Sequence, residues 1–579
     1  MIRRRKNGIT LMLAAVSLVF LVPLIGLSID VGFLYVAKSK LQAAVDGAAL
    51  AAARSLSTGS STQAQTTSAQ NNAVNWFYAN FPSNFFGTTN TNMTTDSVTV
   101  SDDANNAHLR DVSVTASTSV NTFFMRWLSF GNITVSATGT ASRRDVVAML
   151  VLDRSFSIQL AGACGTMKAA AKAFTGQFAE GRDNIGLVTF ANDVWMEASP
   201  STSFQSTLGY TNDQGSGTGL IDNINCQGNT NTSSAISVAY NELWKMNEPG
   251  ALNVIVLETD GLPNTMTLNF WDSSNSVVGL TSSSTCKDNS GNYLRNDTSS
   301  SSFSNIQWTN SIPLGTSSYL SGNPTSTPGA GNLVGAIGVP DPGDATCCGS
   351  PLDFIYMQQP YNGSMMPAAP GGGTSISDFE STWATNTNTT ARNCGFTGSA
   401  TASAPGSGNF VATMSDIAWF PKTDVFGNAL NPASHPYQSV CATADGKHIM
   451  NGSCTNGNTA YTNFHNAAEN AADNAAYNAR NGSDLPSPNN TTTMQAMIFV
   501  IGLGGTEGSP PDPILMQRIA NDPNGDTFNV PAKYSACASE TGCYTYSSQP
   551  QGTFIYSSTP STWAEGFTLI SSQILRLAK

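Results

Sequence analysis

The chain has 579 residues, 38 acidic and 26 basic, for a formal net charge of −12, and only 11% of its residues are charged, against roughly 25% in an average soluble domain. So few Lys and Arg on an acidic chain exclude nucleic acid as a partner, because phosphate binding needs clustered positive charge. Apolar residues make up 40%, enough for packed cores, and the length predicts two to four domains at roughly 100–200 residues each. Ser, Thr, Asn and Gly supply most of the rest, a surface suited to an exported protein.

The first predicted element is an apolar helix. Asn7 to Ile29 form an uncharged run of 23 residues preceded by Arg3-Arg4-Arg5-Lys6. A bilayer core takes roughly 20 apolar residues as a helix, and basic flanks stay on the cytoplasmic side. The run therefore reads as an uncleaved single-pass anchor, with the amino terminus cytoplasmic and the bulk of the chain outside. A cleaved signal peptide would carry a shorter apolar region of roughly 7–15 residues. The helical pattern continues through an Ala-rich stretch from Asp30 through Lys38, Leu41 and Val45 to Arg54. Alternation at Val98/Val100, Val112/Val114/Ala116 and Ile133/Val135/Ala137 then predicts antiparallel strands, with Phe123, Phe124, Trp127 and Leu128 as a short apolar plug between the last two.

The stretch SIDVGFLYVAKSKLQAAVDGAALAAARSL, where a spanning helix runs straight into an alanine-rich amphipathic half, resembles the amino-terminal segment of the tight-adherence (Tad/Flp) pilus-assembly proteins of the TadE/TadG type. The resemblance implies a cytoplasmic tip and anchor over 1–29 and a pilin-like α+β module over 30–142. It also implies a place in a bacterial inner membrane, a periplasmic or extracytoplasmic bulk, and other pilus-assembly or envelope proteins as partners. Processed pilins carry a Glu five residues beyond the cleavage-site Gly; five after Gly8 stands Leu13, which argues against prepilin-type processing.

After Arg143-Arg144, Val146 to Leu152 is long enough for a strand buried on both faces. It ends in Asp153-x-Ser155-x-Ser157, one carboxylate and two hydroxyls on one loop, where open α/β sheets bind their ligands. GNTNTSSAI places Thr230 just before a helical stripe of Ile236, Tyr240 and Leu243, and the strand Val254 to Leu257 ends in Thr259-Asp260-Gly261. These three pieces, in this order, resemble the metal-ion-dependent adhesion site of von Willebrand factor type A domains. All five ligand positions are present: Asp153, Ser155, Ser157, Thr230 and Asp260. NIGLVTF, from Asn184 to Phe190, falls where that fold has its second core strand. The donors are all oxygen, which favours Mg²⁺, Mn²⁺ or Ca²⁺ over zinc. Three hydroxyls can bind directly while two carboxylates balance charge, and by resemblance the open position takes an acidic residue from a protein partner. The alternative is that the two Asp merely cap helices and the Ser residues satisfy loop backbone.

The tail continues the alternation. A helix striped by Phe464, Ala468, Ala471 and Ala475 is stopped by Gly482; a strand spans Ala496 to Leu503, a helix Asp512 to Ala520 and a strand Gly552 to Tyr556. A last helix carries Phe567, Ile570, Ile574 and Leu577 on one face. The predicted class is α/β, a doubly wound mostly parallel sheet over 145–263 and 460–579. It is interrupted by a Ser/Thr/Asn/Gly-rich, Cys-containing insertion over 264–459.

Ten Cys, none before Cys164 and none in a CxxC pair, point to disulfides in an oxidising compartment. Six (Cys286, Cys347, Cys348, Cys394, Cys441, Cys454) lie in the insertion and would staple it in a pairing that sequence leaves open. The implied fold puts Cys164 and Cys226 beside the metal loops, predicting a bridge between them, and Cys537 and Cys543 are close enough for a local one. No GxSxG, HExxH or phosphate-cradling motif occurs; His435 and His448, near Asp424 and Asp445, read as solvated. The expected function is a non-enzymatic, membrane-anchored, divalent-cation-dependent protein-binding component of Flp-type pilus assembly or adhesion. The alternatives are a surface adhesin unrelated to pili and an exported hydrolase with its site in the insertion.

Overall fold

The computed structural model describes residues 7–57, 61–191, 194–210, 219–224, 226, 229–248, 250–269, 334–338, 354–356, 419–420, 422–424, 426–433, 436–442, 449–450, 460–482, 494–504, 511–525 and 548–578. The expectations placed on Cys286, Cys347, Cys348, Cys394, Cys454, Cys537, Cys543, His435, His448 and Asp445 lie outside these residues. The chain divides into two compact units, Met1–Asp145 with Ala179–Arg182 and Leu575–Lys579, and Val146–Phe178 with Asp183–Ile574.

In the first unit, α1 spans Asn7–Ser55 without a break, through Pro23. Its character changes along its length: Leu13, Val16, Val19, Phe20 and Leu24 are exposed, whereas Ala37, Leu41, Val45, Ala48 and Ala52 are buried at helical spacing. The buried face packs on an antiparallel sheet of β1 (Thr88–Asn92), β2 (Val98–Asp102), β3 (Leu109–Asn121) and β4 (Asn132–Arg144), in which β3 pairs with all three others. The three expected strands are present. A second helix, α2 (Thr62–Asn80), and β1 have no counterpart in the sequence reading. The start of α2 is marked by Ser61, whose side chain accepts from the Ala64 amide, but its body is Thr, Gln and Asn around the small buried stripe Ala69, Ala73 and Phe77.

Helix α1 sits close to β4 because Gly139 has no side chain. A Cβ there would lie 3.0 Å from the Asp46 amide nitrogen and 2.7 Å from Asp46 Oδ1, inside van der Waals contact. Gln42 Nε2 donates to the Thr138 carbonyl at 2.8 Å across the same seam. Gly139→Ala should therefore push the helix off the sheet and destabilise this unit by about 1–3 kcal/mol, read from the denaturant midpoint of the full chain in detergent.

The apolar plug is corrected. Phe123 and Trp127 are 56% and 87% exposed, because the backbone of their turn is held from the other side. Asp30 Oδ1 accepts from the Phe123 amide at 2.9 Å, and Asp30 Oδ2 from the Phe124 and Met125 amides at 2.8 and 2.6 Å. With the backbone turned inward to that carboxylate, Phe123 and Trp127 keep most of their surface exposed, while the Phe124 ring lies beside Gly26.

The second unit is built on six strands: β5 (Val146–Asp153), β6 (Asn184–Phe190), β7 (Val194–Ser201), β8 (Leu252–Thr259), β14 (Met497–Leu503) and β15 (Phe554–Ser557). Five are parallel and β7 runs antiparallel at one edge, in the order β15-β14-β8-β5-β6-β7. The central strands are buried on both faces, which is why they read as continuous Val/Ile/Leu runs. Around them lie α3 (Phe156–Leu160), α4 (Cys164–Thr175), α5 (Phe204–Leu208), α6 (Thr232–Met246), α7 (Ala460–Asn481), α8 (Pro513–Ala520) and α9 (Trp563–Leu577). β9 (Thr265–Asn269) pairs antiparallel with β10 (Val334–Gly338), and β10 with β11 (Phe354–Tyr356); β12 (Trp419–Phe420) pairs with β13 (Ile449–Met450).

The Asn residues of α7 are not surface filler. Asn463, Asn470 and Asn474 are buried and, at spacings of 7 and 4, hold Ala429, Tyr437, Gln438 and Cys441 onto the helix. Asn463 Oδ1 accepts from the Cys441 amide at 2.7 Å, Asn470 Oδ1 from the Tyr437 and Gln438 amides at 2.9 and 2.7 Å, and Asn474 Oδ1 from the Ala429 amide at 2.7 Å. Side-chain amides thus satisfy the backbone of an irregular segment that offers no ladder of its own. Cys441 is itself disulfide-bonded.

Glu469, on the same helix, accepts from Gln438 Nε2 at 2.7 Å. Burial, with the nearby Asp512 carboxylate, pushes its carboxyl up from 4.5 to about 7. Since the folded value lies above the unfolded one, the folded chain keeps the proton through that window and stability falls as pH rises through it. Glu469→Gln should match the wild type near pH 4 and gain up to roughly 3 kcal/mol over it near pH 8, measured by urea unfolding at both pH values.

Candidate metal centre

β5 carries Asp153 to the carboxyl end of the sheet, where its side chain is fully buried. Its Oδ1 accepts from the Ser155 amide at 2.8 Å and its Oδ2 from Thr259 Oγ1 at 2.6 Å. Ser155 stands at the N-cap position of α3 yet makes no side-chain cap bond. Its hydroxyl donates instead to Asp260 Oδ1 at 3.0 Å, and Ser157 Oγ donates to the same oxygen at 2.9 Å. The two hydroxyl oxygens are 3.0 Å apart. Helix capping therefore does not account for these serines: they converge on a carboxylate more than a hundred residues away.

Thr230 comes from the loop ahead of α6. Asn264 positions it, accepting from its amide at 2.7 Å while the Asn264 amide donates to its carbonyl at 3.1 Å. A Cβ built on Gly261 would lie 3.4 Å from Thr230 Oγ1, so this hydroxyl faces the Asp260-Gly261 turn. Asp153, Ser155, Ser157 and Asp260 thus meet where two loops leave the sheet, and the loop ahead of α6 brings Thr230 to face them. Among the described residues no group of three or more His, Cys, Asp or Glu is placed to hold a metal ion; this set has two carboxylates and three hydroxyls. Hard oxygen donors of that kind fit Mg²⁺, Mn²⁺ or Ca²⁺.

Burial pushes the Asp153 carboxyl up to about 6, against the pull of its bonds from Thr259 and Ser155. Behind it lies Glu258, whose Oε2 accepts from the Asp153 amide at 3.1 Å. Burial, together with the charges of Asp153 and Asp260, raises Glu258 well above the usual carboxylate range. Three buried acids around one loop cluster outnumber the one basic residue of that loop, the buried Arg154, and an excess of negative charge suits a cation. Glu258, Thr259 and Asn264 are the residues that motif reading passed over. The signal was there for Glu258, an acid interrupting an apolar strand.

The structure joins Cys164, the first residue of α4, to Cys226, with Cα atoms 6.0 Å apart and a sequence separation of 62. The bridge ties the segment after the DxSxS loop to the segment before Thr230.

Residues 8–55 match the Tad family, described as Flp pilus-assembly TadE/G-like, and residues 148–262 match a von Willebrand factor type A domain. No curated protein matches the chain. Similar solved structures include the PilB minor pilin from Streptococcus sanguinis (10% identity over 84% of this chain and 79% of that one, TM-score 0.28). The vWF domain of the type V pili tip protein Mfa5 from Porphyromonas gingivalis gives 14% identity over 76% and 98%, with TM-score 0.29. The open conformation of the pilus adhesin SpaC from Lactobacillus rhamnosus GG gives 10% identity over 84% of this chain and 36% of that one, with TM-score 0.31. At these TM-scores the three likenesses carry no argument. The chain carries a TadE/G-like segment with a long apolar helix, which suggests a single membrane anchor, followed by a type A domain, which suggests a divalent-cation site in general. That combination supports a non-enzymatic, pilus-related structural or adhesive role.

Proposed function

We propose that this protein is a membrane-anchored component of Flp-type pilus assembly or adhesion that captures a partner protein through a divalent cation held by Asp153, Ser155, Ser157, Thr230 and Asp260. In this reading residues 1–29 are the cytoplasmic tip and span, 30–142 the pilin-like module, and 145–263 with 460–579 the type A domain, with 264–459 inserted into it. The observation that carries the reading is the convergence of Ser155 and Ser157 on Asp260 in place of helix capping.

A bound Mg²⁺ would supply a coordination position for a carboxylate oxygen of the partner. Asp260 orients both serine hydroxyls, Asp153 holds the DxSxS turn through the Ser155 amide, and Asn264 fixes Thr230. The Cys164–Cys226 bridge limits how far two of the three loops can separate, which lowers the ordering cost of binding. The test is capture of envelope proteins by the full chain in detergent. A partner should bind in Mg²⁺ and be lost with EDTA or with Asp260→Asn. Equal capture under all three conditions would sink the reading.

A further inference from the structure

The exposed turn between β3 and β4 lies against the end of the apolar run of α1. The Phe124 ring fills the space beside Gly26, where a Cβ would collide with its ring atoms. Asp30, 1% exposed, is bonded to the turn backbone one helical turn further on. Phe33 adds ring contacts with Phe123 and Phe86, at centroid distances of 5.5 and 5.8 Å. At 1.5 Å rise per residue, Gly26 lies about 6 Å below Asp30 along α1. The turn therefore reaches alongside the last residues of the apolar run.

What the turn shows outward is apolar. Phe86, Phe123, Phe124, Trp127 and Phe130 are exposed, next to the exposed apolar surface of α1. The segment 121–131 carries one charged residue, Arg126, which is basic. An aromatic patch this large facing water marks an interaction surface. Trp with other aromatics at the end of a spanning helix is the composition of a bilayer interface, and a depth of about 6 Å falls within the roughly 5–10 Å that interfacial apolar groups penetrate.

We propose that the β3–β4 turn is a membrane foot: Phe123, Phe124, Trp127 and Phe130 enter the interface of the leaflet where α1 leaves the bilayer, with Arg126 at the lipid phosphates. The proposal rests on the reading of residues 7–29 as a span. Two points of contact, helix and foot, hold the first unit at one depth and one rotation on the membrane, where a helix alone leaves rotation free.

The test uses the full chain in vesicles of phosphatidylethanolamine and phosphatidylglycerol, with and without shallow-brominated lipid. The emission lost on Trp127→Phe isolates this side chain, whose exposure lets the swap proceed without repacking. That component should be quenched by brominated lipid and shielded from aqueous iodide. Quenching by iodide and not by brominated lipid, in vesicles that keep the chain through alkaline carbonate washing, overturns the foot while leaving the span intact. Release of the chain by carbonate overturns the span, and the foot with it.

Discussion

In titration calorimetry, Asp260→Asn should lose Mg²⁺ and Mn²⁺ affinity by roughly a thousandfold while its unfolding midpoint stays near that of the wild type. The amide keeps an oxygen for the Ser155 and Ser157 hydroxyls, which donate to Asp260 Oδ1 at 3.0 and 2.9 Å, while it removes the charge and turns the second oxygen into a donor. At an effective dielectric of about 20, one unit-charge pair about 4 Å apart is worth about 4 kcal/mol, which is about three decades in affinity. Asp153→Ala should abolish binding as well. It also strips the Ser155 amide and Thr259 hydroxyl of their shared acceptor, so the Asn variant is the cleaner measurement. Unchanged affinity in both variants would refute the site.

The second large effect is expected from the bridge. Replacing Cys164 and Cys226 together by Ser should lower unfolding free energy by about 4 kcal/mol on a chain-entropy estimate for a loop of this length, the two cysteines being separated by 62 in sequence. Cation affinity should fall with it, because the loop bearing Ser155 and Ser157 and the loop bearing Thr230 are then ordered independently. Urea unfolding of wild type and variant under non-reducing conditions reads the first effect and calorimetry the second. Non-reducing peptide mapping that finds Cys164 and Cys226 in different bridges would remove the basis for both.

Much of the sheet of the second unit was legible because a strand buried on both faces writes itself as an apolar run. Val146 to Leu152, Asn184 to Phe190, Val254 to Leu257 and Ala496 to Leu503 all carry that mark, and all four lie in one sheet. The antiparallel edge β7 was not legible, since VWMEASPS has neither a continuous run nor clean alternation. In the first unit α2 stayed hidden for a related reason. Its inner face is Ala69, Ala73 and Phe77 in a Thr/Gln/Asn background, too small a stripe to separate from loop composition. The DxSxS, Thr and Asp positions were readable because each sits at the end of a readable strand or the start of a readable helix. Glu258 showed in the sequence only as an acid interrupting an apolar strand; its role came from the fold, which sets it against the Asp153 amide 105 residues away.

The scarcity of charge and abundance of Asn, Ser and Thr take on a different meaning in three dimensions. As composition it suggested an uncharged exported surface, yet Asn463, Asn470 and Asn474 are buried and hold another segment's backbone. By itself the sequence determined what is periodic and local: the long apolar helix, the core strands and the loops that end them, since burial on a regular element repeats with its geometry. Only the tertiary structure decided which polar groups face inward and which apolar groups face outward. Asp30 turns Phe123 and Trp127 out, Asp260 draws two serines away from a helix cap, and an asparagine stripe serves as a hydrogen-bonding rail. Each depends on a partner far away in the chain, and a hydrogen bond's worth is set by where its partner ends up, which no local pattern records.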